Sequence, residues 1–254
     1  MKFAIIAAGK GSRLANEGVA IPKPLVCLNG EPMINRLMRI FTANGASSIS
    51  IIINEEMKDL YKYVRDLMLP VPLHIIHKST PSSMHSFFEL SHTLGNERFC
   101  LTTVDTIFRE DEFSLYINAF RESTADGLFA VTDYIDDEKP LYVETDENMM
   151  IKGFHDDPHG GGNITEISDN KQREYHNEKF SRLKYISGGI YCLGNNSIPV
   201  LKASINAGMF RLRNYQRQLV LNGLKLKAWP FSKIIDVDHF EDINKAELFL
   251  KKET

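Results

Sequence analysis

The sequence predicts an α/β fold: a sheet with parallel strands, helices on both faces, and ligands held at the carboxyl ends of the strands. Two observations carry the prediction. Through the first half of the 254-residue chain, short β-branched or apolar runs alternate with longer stretches of helical apolar spacing. The first run also passes directly into a glycine-rich turn, Ala7-Ala8-Gly9-Lys10-Gly11-Ser12-Arg13-Leu14, a local design that lets backbone N–H groups close on phosphate oxygens.

In chain order, residues 3–7, 50–54, 73–77 and 99–104 read as strands, being short apolar runs bounded by polar or glycine positions. Residues 33–44, 55–69, 83–94 and 111–122 read as helices. Pro32 suits the start of the first helix, and Gly45 suits its end, where a left-handed residue closes the last turn. The second half differs. Strands are expected at 128–134, 142–145, 149–154, 185–193 and 225–230, and helices at 195–222, broken near Gly208, and at 240–252. Residues 155–179 include Gly160-Gly161-Gly162, several charges and little apolar content, and read as a mobile loop and candidate lid. No repeat or linker divides the chain, so one domain over 1–254 is expected.

Composition narrows the partners. A net charge of -3 offers no concentrated positive field, so neither nucleic acid nor an anionic membrane surface is expected as a partner. A small anion needs only a few placed cations. No stretch has the length and hydrophobicity of a membrane span or a signal peptide. Cys27, Cys100 and Cys192 are odd in number, far apart and set in apolar segments, which predicts buried free thiols in a reducing compartment and hence a cytoplasmic protein.

Three designs compete for the opening glycines. A dinucleotide fingerprint needs glycine where Leu14 stands and an acid ending the second strand, where Asn54 precedes Glu55. A Walker loop needs Gly-Lys-Ser or Gly-Lys-Thr after a four-residue spacer, which Gly9-Lys10-Gly11-Ser12 does not supply. The third design joins Ala7, Ala8, Gly9, Gly11 and Arg13 to Pro22-Lys23-Pro24-Leu25. That combination resembles the signature of the nucleotidyltransferases that make nucleotide sugars and related activated head groups.

The resemblance implies a Rossmann-like, GT-A-like nucleotidyltransferase fold, a three-layer sandwich with a mixed central sheet. It also implies a nucleotide-binding half, 1–125, and an acceptor-binding half, 126–254. The implied partners are a nucleoside triphosphate, CTP or UTP, and a small phosphate monoester, for which a sugar 1-phosphate is the first choice. Attack of that monoester on the α-phosphorus expels pyrophosphate, so catalysis is mostly positioning and charge neutralisation. Arg13 supplies a planar fork of donors and Lys23 a point charge able to bridge two phosphates. Ala7, Ala8, Gly9, Gly11 and Ser12 would line the nucleotide, and Ser83, in a Ser79–Phe87 segment that departs from the family's Gly-Thr-Ala-Gly pattern, would approach the base unless it or Ser82 merely caps a helix.

Converging phosphates call for a hard cation, Mg2+, on oxygen ligands. Asp105, after the strand 99–104, resembles the family's first metal aspartate, and Ile235-Asp236-Val237-Asp238-His239-Phe240 its late acidic motif. Alternation along a strand points Asp236 and Asp238 the same way, so either is a candidate ligand, with Asp238 preferred and Asp242 read as a first-turn helix acid.

Ser187-Gly188-Gly189-Ile190-Tyr191 resembles the segment that touches the acceptor, although glycines within a strand also mark bulges. Lys152 is the candidate contact for the acceptor phosphate, because the family's Glu-Lys-Pro is replaced by Asp156-Asp157-Pro158. Choline phosphate is the alternative acceptor, needing an aromatic cage for which Tyr134, Tyr142, Phe154 and Tyr191 are available, though their alternating positions suit a core. His155, Asp156, Asp157 and His159 are too contiguous for a metal site, His74 and His77 are expected to be structural, and Trp229 to pack the sheet. From other classes, a glycosyltransferase would be expected to use Asp-x-Asp, whereas Val104-Asp105-Thr106 has one acid. A non-catalytic nucleotide-sugar-binding regulator would have no use for Lys23 beside two metal carboxylates.

Overall fold

The opening apolar run becomes β1 (Lys2–Ala7), and its alternation decides how the layers form. Phe3, Ile5 and Ala7 face one apolar core and Ala4 and Ile6 the other, the period of two that a strand imposes. The computed structural model describes residues 1–136, 138–158 and 183–251. After β1 come α1 (Ser12–Asn16), a 3-10 turn at Lys23–Leu25, β2 (Cys27–Leu28), β3 (Glu31–Pro32), α2 (Met33–Ala43), β4 (Ile49–Ile53), α3 (Lys58–Arg65), β5 (Leu73–His77) and α4 (Ser83–Leu94). The chain continues through β6 (Phe99–Thr103), β7 (Thr106–Ile107), α5 (Glu110–Glu122), β8 (Gly127–Thr132), β9 (Tyr142–Thr145) and β10 (Ile151–His155). Beyond residue 182 it forms β11 (Tyr185–Leu193), α6 (Ser197–Asn206), α7 (Leu212–Leu221), β12 (Leu226–Pro230), β13 (Ile235–Asp236) and α8 (Phe240–Lys251).

Nine of these strands make one mixed sheet. β6, β1, β4 and β5 are parallel neighbours, as the alternating first half predicts. β11 runs antiparallel to β6 and joins the halves: Ile190–Leu193 pair with β6, while Tyr185 and Ile186 pair with β9. On one face α2 and α5 bury Phe41, Phe113 and Phe120 against β1, and on the other α4, α6 and α7 bury Phe87, Leu201 and Tyr215. Each such side chain contributes about 1.5–3 kcal/mol by leaving water. A third cluster of Leu14, Val26, Leu28, Ile107, Val237 and Phe249 packs α1, the β2–β3 hairpin and α8 together at the carboxyl edge of the sheet.

Differences from the sequence reading have local causes. α3 starts at Lys58 rather than at 55 because Asn54 Oδ1 accepts the Glu56 N–H (2.9 Å), turning the chain first. β10 starts at 151 because Met149 is left-handed, φ 61°, within a turn whose N–H groups bond Asp146. The 195–222 helix divides where Gly208 takes φ 73°. Cys27 is exposed on the hairpin, a correction to the expectation of three buried thiols, while Cys100 and Cys192 are buried and all three are free. His155 closes β10 instead of opening a loop. The remainder of the expected lid, from 159, lies outside the described residues, and His159 with it.

Candidate active site

The glycine turn leaves β1 at its carboxyl end. Gly9 faces open space, since a Cβ built there meets no atom within 4 Å, so the backbone lies bare to any ligand. Gly11 has the opposite reason to be glycine: its φ is +61°, and an added Cβ would approach Lys23 Cβ to 3.0 Å. Asn54, which the sequence reading did not single out, accepts from Ser79 Oγ (3.0 Å) and donates to the Ala8 carbonyl (3.4 Å), tying the turn to the 79–83 segment. Ser82 caps α4, its Oγ accepting from His85 N, and Ser83 opens the helix. Ala7, Ala8, Gly9, Gly11, Ser12, Arg13, Lys23, Ser83, Asp105 and Asp238 together line one cleft of about 620 Å³.

At the mouth of that cleft four charges lock together. Lys23 Nζ donates to Asp105 Oδ2 and to Asp238 Oδ1 (2.7 Å), while Arg13 donates to Asp238 Oδ2 (2.7 Å). The Lys23 side chain is only 9% exposed. Burial alone would lower its pKa, but the flanking carboxylates overcome this and hold it above the ordinary lysine value, so the amine stays charged. Glu17 Oε1 meets His239 Nδ1 (2.6 Å) and Glu17 Oε2 accepts the Phe240 N–H (2.6 Å), a second tie between the end of α1 and the start of α8. Asp242 Oδ2 accepts the N–H groups of Asp238 and His239 (3.1 and 2.8 Å), the helix-capping role that its first-turn position suggests.

Asp236 and Asp238 both line a neighbouring cleft of about 540 Å³, the common direction that alternation along the strand expects. Asp238 also reaches the 620 Å³ cleft, whereas Asp236 lines a third cleft of about 420 Å³ and accepts from Thr106 Oγ1 (3.2 Å). β13 ends at Asp236 and the chain turns, the Asp238 N–H bonding the Asp236 carbonyl (3.1 Å). Gly188 lines the cleft of about 540 Å³ and Gly189 that of about 420 Å³. Both sit in a bulge of β11 against β8: Gly189 has φ +73°, and a Cβ at Gly188 would run into the Ile234 side chain.

Lys152, the sequence candidate for the acceptor phosphate, lines none of these three clefts and pairs with Asp146 (2.8 Å). The smaller cleft is lined instead by Lys139, Arg211 and Arg213, with Gln216 and Tyr191. Asp156 accepts from Arg213 (2.6 Å) and pairs with Arg217 (2.7 Å), and His155 meets Glu144 (2.8 Å), so His155 and Asp156 have protein partners. Gln216 is 3% exposed, and its Oε1 has no hydrogen-bond partner. Burial pushes the Tyr191 hydroxyl up to about 12, keeping it a neutral donor. Arg213 and Gln216 lie on α7, which carries no motif, and buried polar type within that helix is the signal that could have found Gln216. Among the described residues no three His, Cys, Asp or Glu side chains gather for a metal ion, and no helix is long and apolar enough to cross a membrane.

The arrangement has counterparts. The chain is 22% identical to a UTP–glucose-1-phosphate uridylyltransferase of Haloferax volcanii over 260 residues, 100% of this chain and 98% of that one. It is 29% identical to a probable glucose-1-phosphate cytidylyltransferase of Bacillus subtilis over 160 residues, 61% of this chain and 54% of the other. The solved inositol-1-phosphate CTP transferase from T. maritima superposes with a TM-score of 0.75 at 20% identity, covering 99% of this chain and 95% of that one. A UDP-glucose pyrophosphorylase complexed with UDP-glucose gives 0.76 at 15%, covering 100% and 99%. These structures share the GT-A-like nucleotidyltransferase fold, with its large mixed sheet, that the family resemblance implies. The family model of the MobA-like NTP transferase domain matches residues 3–157, and the chain belongs to that family.

Proposed function

We propose that this chain transfers a nucleotidyl group from CTP or UTP to a sugar 1-phosphate, releasing pyrophosphate and forming an NDP-sugar. One observation carries the reading: the bare Gly9 backbone, Arg13, Lys23, Asp105 and Asp238 converge on one cleft, which abuts a second, polar cleft through Ser82, Ser83 and Thr103. The first cleft suits a triphosphate and the second its acceptor, with the reacting phosphates brought together beside Lys23. Relatives that are glucose-1-phosphate uridylyl- and cytidylyltransferases support this.

In the reaction, an oxygen of the acceptor phosphate bonds to the α-phosphorus as the bond to pyrophosphate breaks. Lys23 and Arg13 turn from the carboxylates to the phosphates and neutralise the charge that builds on them. The Lys23 ammonium already fills the space between two hard oxygen donors, so Asp105 and Asp238 fit Mg2+ as its ligands. Bound there, Mg2+ would supply Lewis-acid charge to the phosphate oxygens. The substrates belong to the cytoplasmic nucleotide pool, where free thiols persist.

A hydroxylated acceptor is favoured over a quaternary ammonium. Phe154 and Tyr191 are buried, and the Lys233 ammonium lies 3.8 Å from the centre of the Tyr134 ring, where a caged cation would have to stand. Gln216 Oε1 and the Asp236 carboxylate are hydrogen-bond acceptors that suit sugar hydroxyls.

The test incubates the protein with Mg2+, each triphosphate and a panel of phosphate monoesters, and measures pyrophosphate. Release with CTP or UTP and a sugar 1-phosphate is expected. Release with phosphocholine alone replaces the acceptor, sugar transfer without pyrophosphate makes the chain a glycosyltransferase, and binding without turnover makes it a regulator.

A further inference from the structure

We propose that Lys23 and Arg13 keep Asp105 and Asp238 closed to a bare divalent cation, and that a nucleoside triphosphate opens the pair by drawing both cations onto its phosphates. Metal and nucleotide then bind as a coupled unit. The inference rests on the nucleotidyl-transfer reading above and adds to it a control over the order of events.

The geometry is one of substitution. Of the four carboxylate oxygens, Asp105 Oδ2 and Asp238 Oδ1 accept from Lys23, and Asp238 Oδ2 accepts from Arg13. Two negative and two positive side chains are thus already balanced. A divalent cation entering alone must evict Lys23 from a site where its side chain is 9% exposed, and it leaves the ammonium without a counter-charge. A cation arriving with a triphosphate meets a different balance: the carboxylates take the metal, and the displaced ammonium and guanidinium take phosphate oxygens. Every charge is paired before and after, whereas the metal alone strands the Lys23 ammonium and the nucleotide alone strands both carboxylates. Such coupling is reciprocal, so the metal strengthens nucleotide binding by the factor with which the nucleotide strengthens metal binding.

The surroundings permit the exchange without loosening the site. Gly11 carries no Cβ, and one built there would approach Lys23 Cβ to 3.0 Å and Lys23 Cδ to 3.9 Å, so the missing side chain leaves room beside the lysine stem. Glu17 holds His239 and the Phe240 N–H independently of the Arg13–Asp238 pair, so Arg13 can release Asp238 while the start of α8 stays docked on α1.

The experiment titrates Mn2+ alone, without nucleotide, into the full chain and follows binding by calorimetry and by water-proton relaxation. Lys23→Met keeps the stem and removes the competing charge, so it should bind one Mn2+ about tenfold tighter than the wild type, or more, within the usual range of coupling. Adding Asp105→Asn to that variant should abolish the gain. Arg13→Met frees one oxygen and should give a smaller gain in the same direction, an independent arm if Lys23→Met folds poorly. Lys10→Met removes a cation from the same loop, one that pairs with Glu56 (3.1 Å) and touches neither aspartate, and it should leave Mn2+ affinity unchanged. Equal bare-metal affinity in the wild type, Lys23→Met and Arg13→Met overturns the coupling, as does a gain in Lys10→Met equal to that in Lys23→Met. Pyrophosphate release by the wild type in the same preparation separates the failures: if it occurs while the affinities are equal, the coupling falls and the transfer reading stands. If no triphosphate supports release, both fall.

Discussion

Gly11 and Lys23 touch across the mouth of the nucleotide cleft: at φ +61°, a methyl group on Gly11 would come within 3.0 Å of Lys23 Cβ. Gly11→Ala therefore pays twice, once for a left-handed alanine, about 1–2 kcal/mol, and once for pushing the lysine stem aside. A lower melting temperature and a fall in kcat are both expected. Gly9→Ala, with open space around it, should keep the melting temperature and lose nucleotide affinity, which a thermal-shift titration with triphosphate reads directly.

Lys23→Ala removes the charge shared by both carboxylates and, in the reaction, by the phosphates. Turnover should fall by roughly a hundredfold or more, as for other charge-stabilising donors, with the circular dichroism spectrum retained. A change confined to KM would recast Lys23 as a binding residue.

The two late aspartates should separate kinetically. Asp238→Asn strips a partner from both Lys23 and Arg13, so it should collapse kcat and the response to Mg2+. Asp236→Asn, which faces the adjoining clefts and Thr106, should raise KM for the acceptor while leaving KM for the triphosphate near its wild-type value. The reverse pattern in steady-state kinetics would exchange their roles.

Gln216→Leu is nearly isosteric and removes the buried, unpaired Oε1 of a residue that lines the proposed acceptor cleft. With a sugar 1-phosphate, KM should rise by about tenfold, the value of one hydrogen bond near 1.4 kcal/mol. The melting temperature should hold or rise, because a buried acceptor without a partner is a cost to the fold.

Stability has its own pH signature at Glu110, which opens α5 and binds Arg39 of α2 (2.7 and 2.8 Å). Hydrogen bonding from Arg39 holds its carboxyl below the usual glutamate range, against the opposing effect of burial and with help from the charge of Arg36. A depressed folded-state pKa gives stability that is present above the unfolded value, about 4.5, and lost as pH falls through the folded one. Denaturant melts of wild type and Glu110→Gln should differ by a constant amount above pH 5, less than about 1 kcal/mol for a partly exposed pair. The difference should shrink below pH 4.5.

Much of this was legible in the sequence, and the reasons are physical. β1, β4 and β6 are short apolar runs whose buried faces leave little choice of state, and the turn after β1 joins residue types that few local structures need together. The nucleotide side follows, because its parts sit at strand ends in chain order. The acceptor side does not. Lys152 lies outside the three clefts, paired with the Asp146 that also accepts the Met150 N–H of the preceding turn, a pairing that strand periodicity does not announce. Asp236 and Asp238 share one cleft, as alternation expects, but the turn after a two-residue strand lets only Asp238 reach Lys23. Asn54 and Glu17 act through hydrogen bonds to segments distant in sequence, which no local pattern announces.

The placement of β11 has a consequence for descent. Its end at Ile190–Leu193 is zipped to β6, which leads to Asp105, and the Gly188–Gly189 kink before it lies between the two neighbouring clefts. Lys139, Arg213 and Gln216 hang on a loop and a helix outside that seam. Substitutions there can exchange one phosphate monoester for another without disturbing Gly11, Lys23 or Asp105, so a lineage can hold the transfer chemistry fixed while its product diversifies.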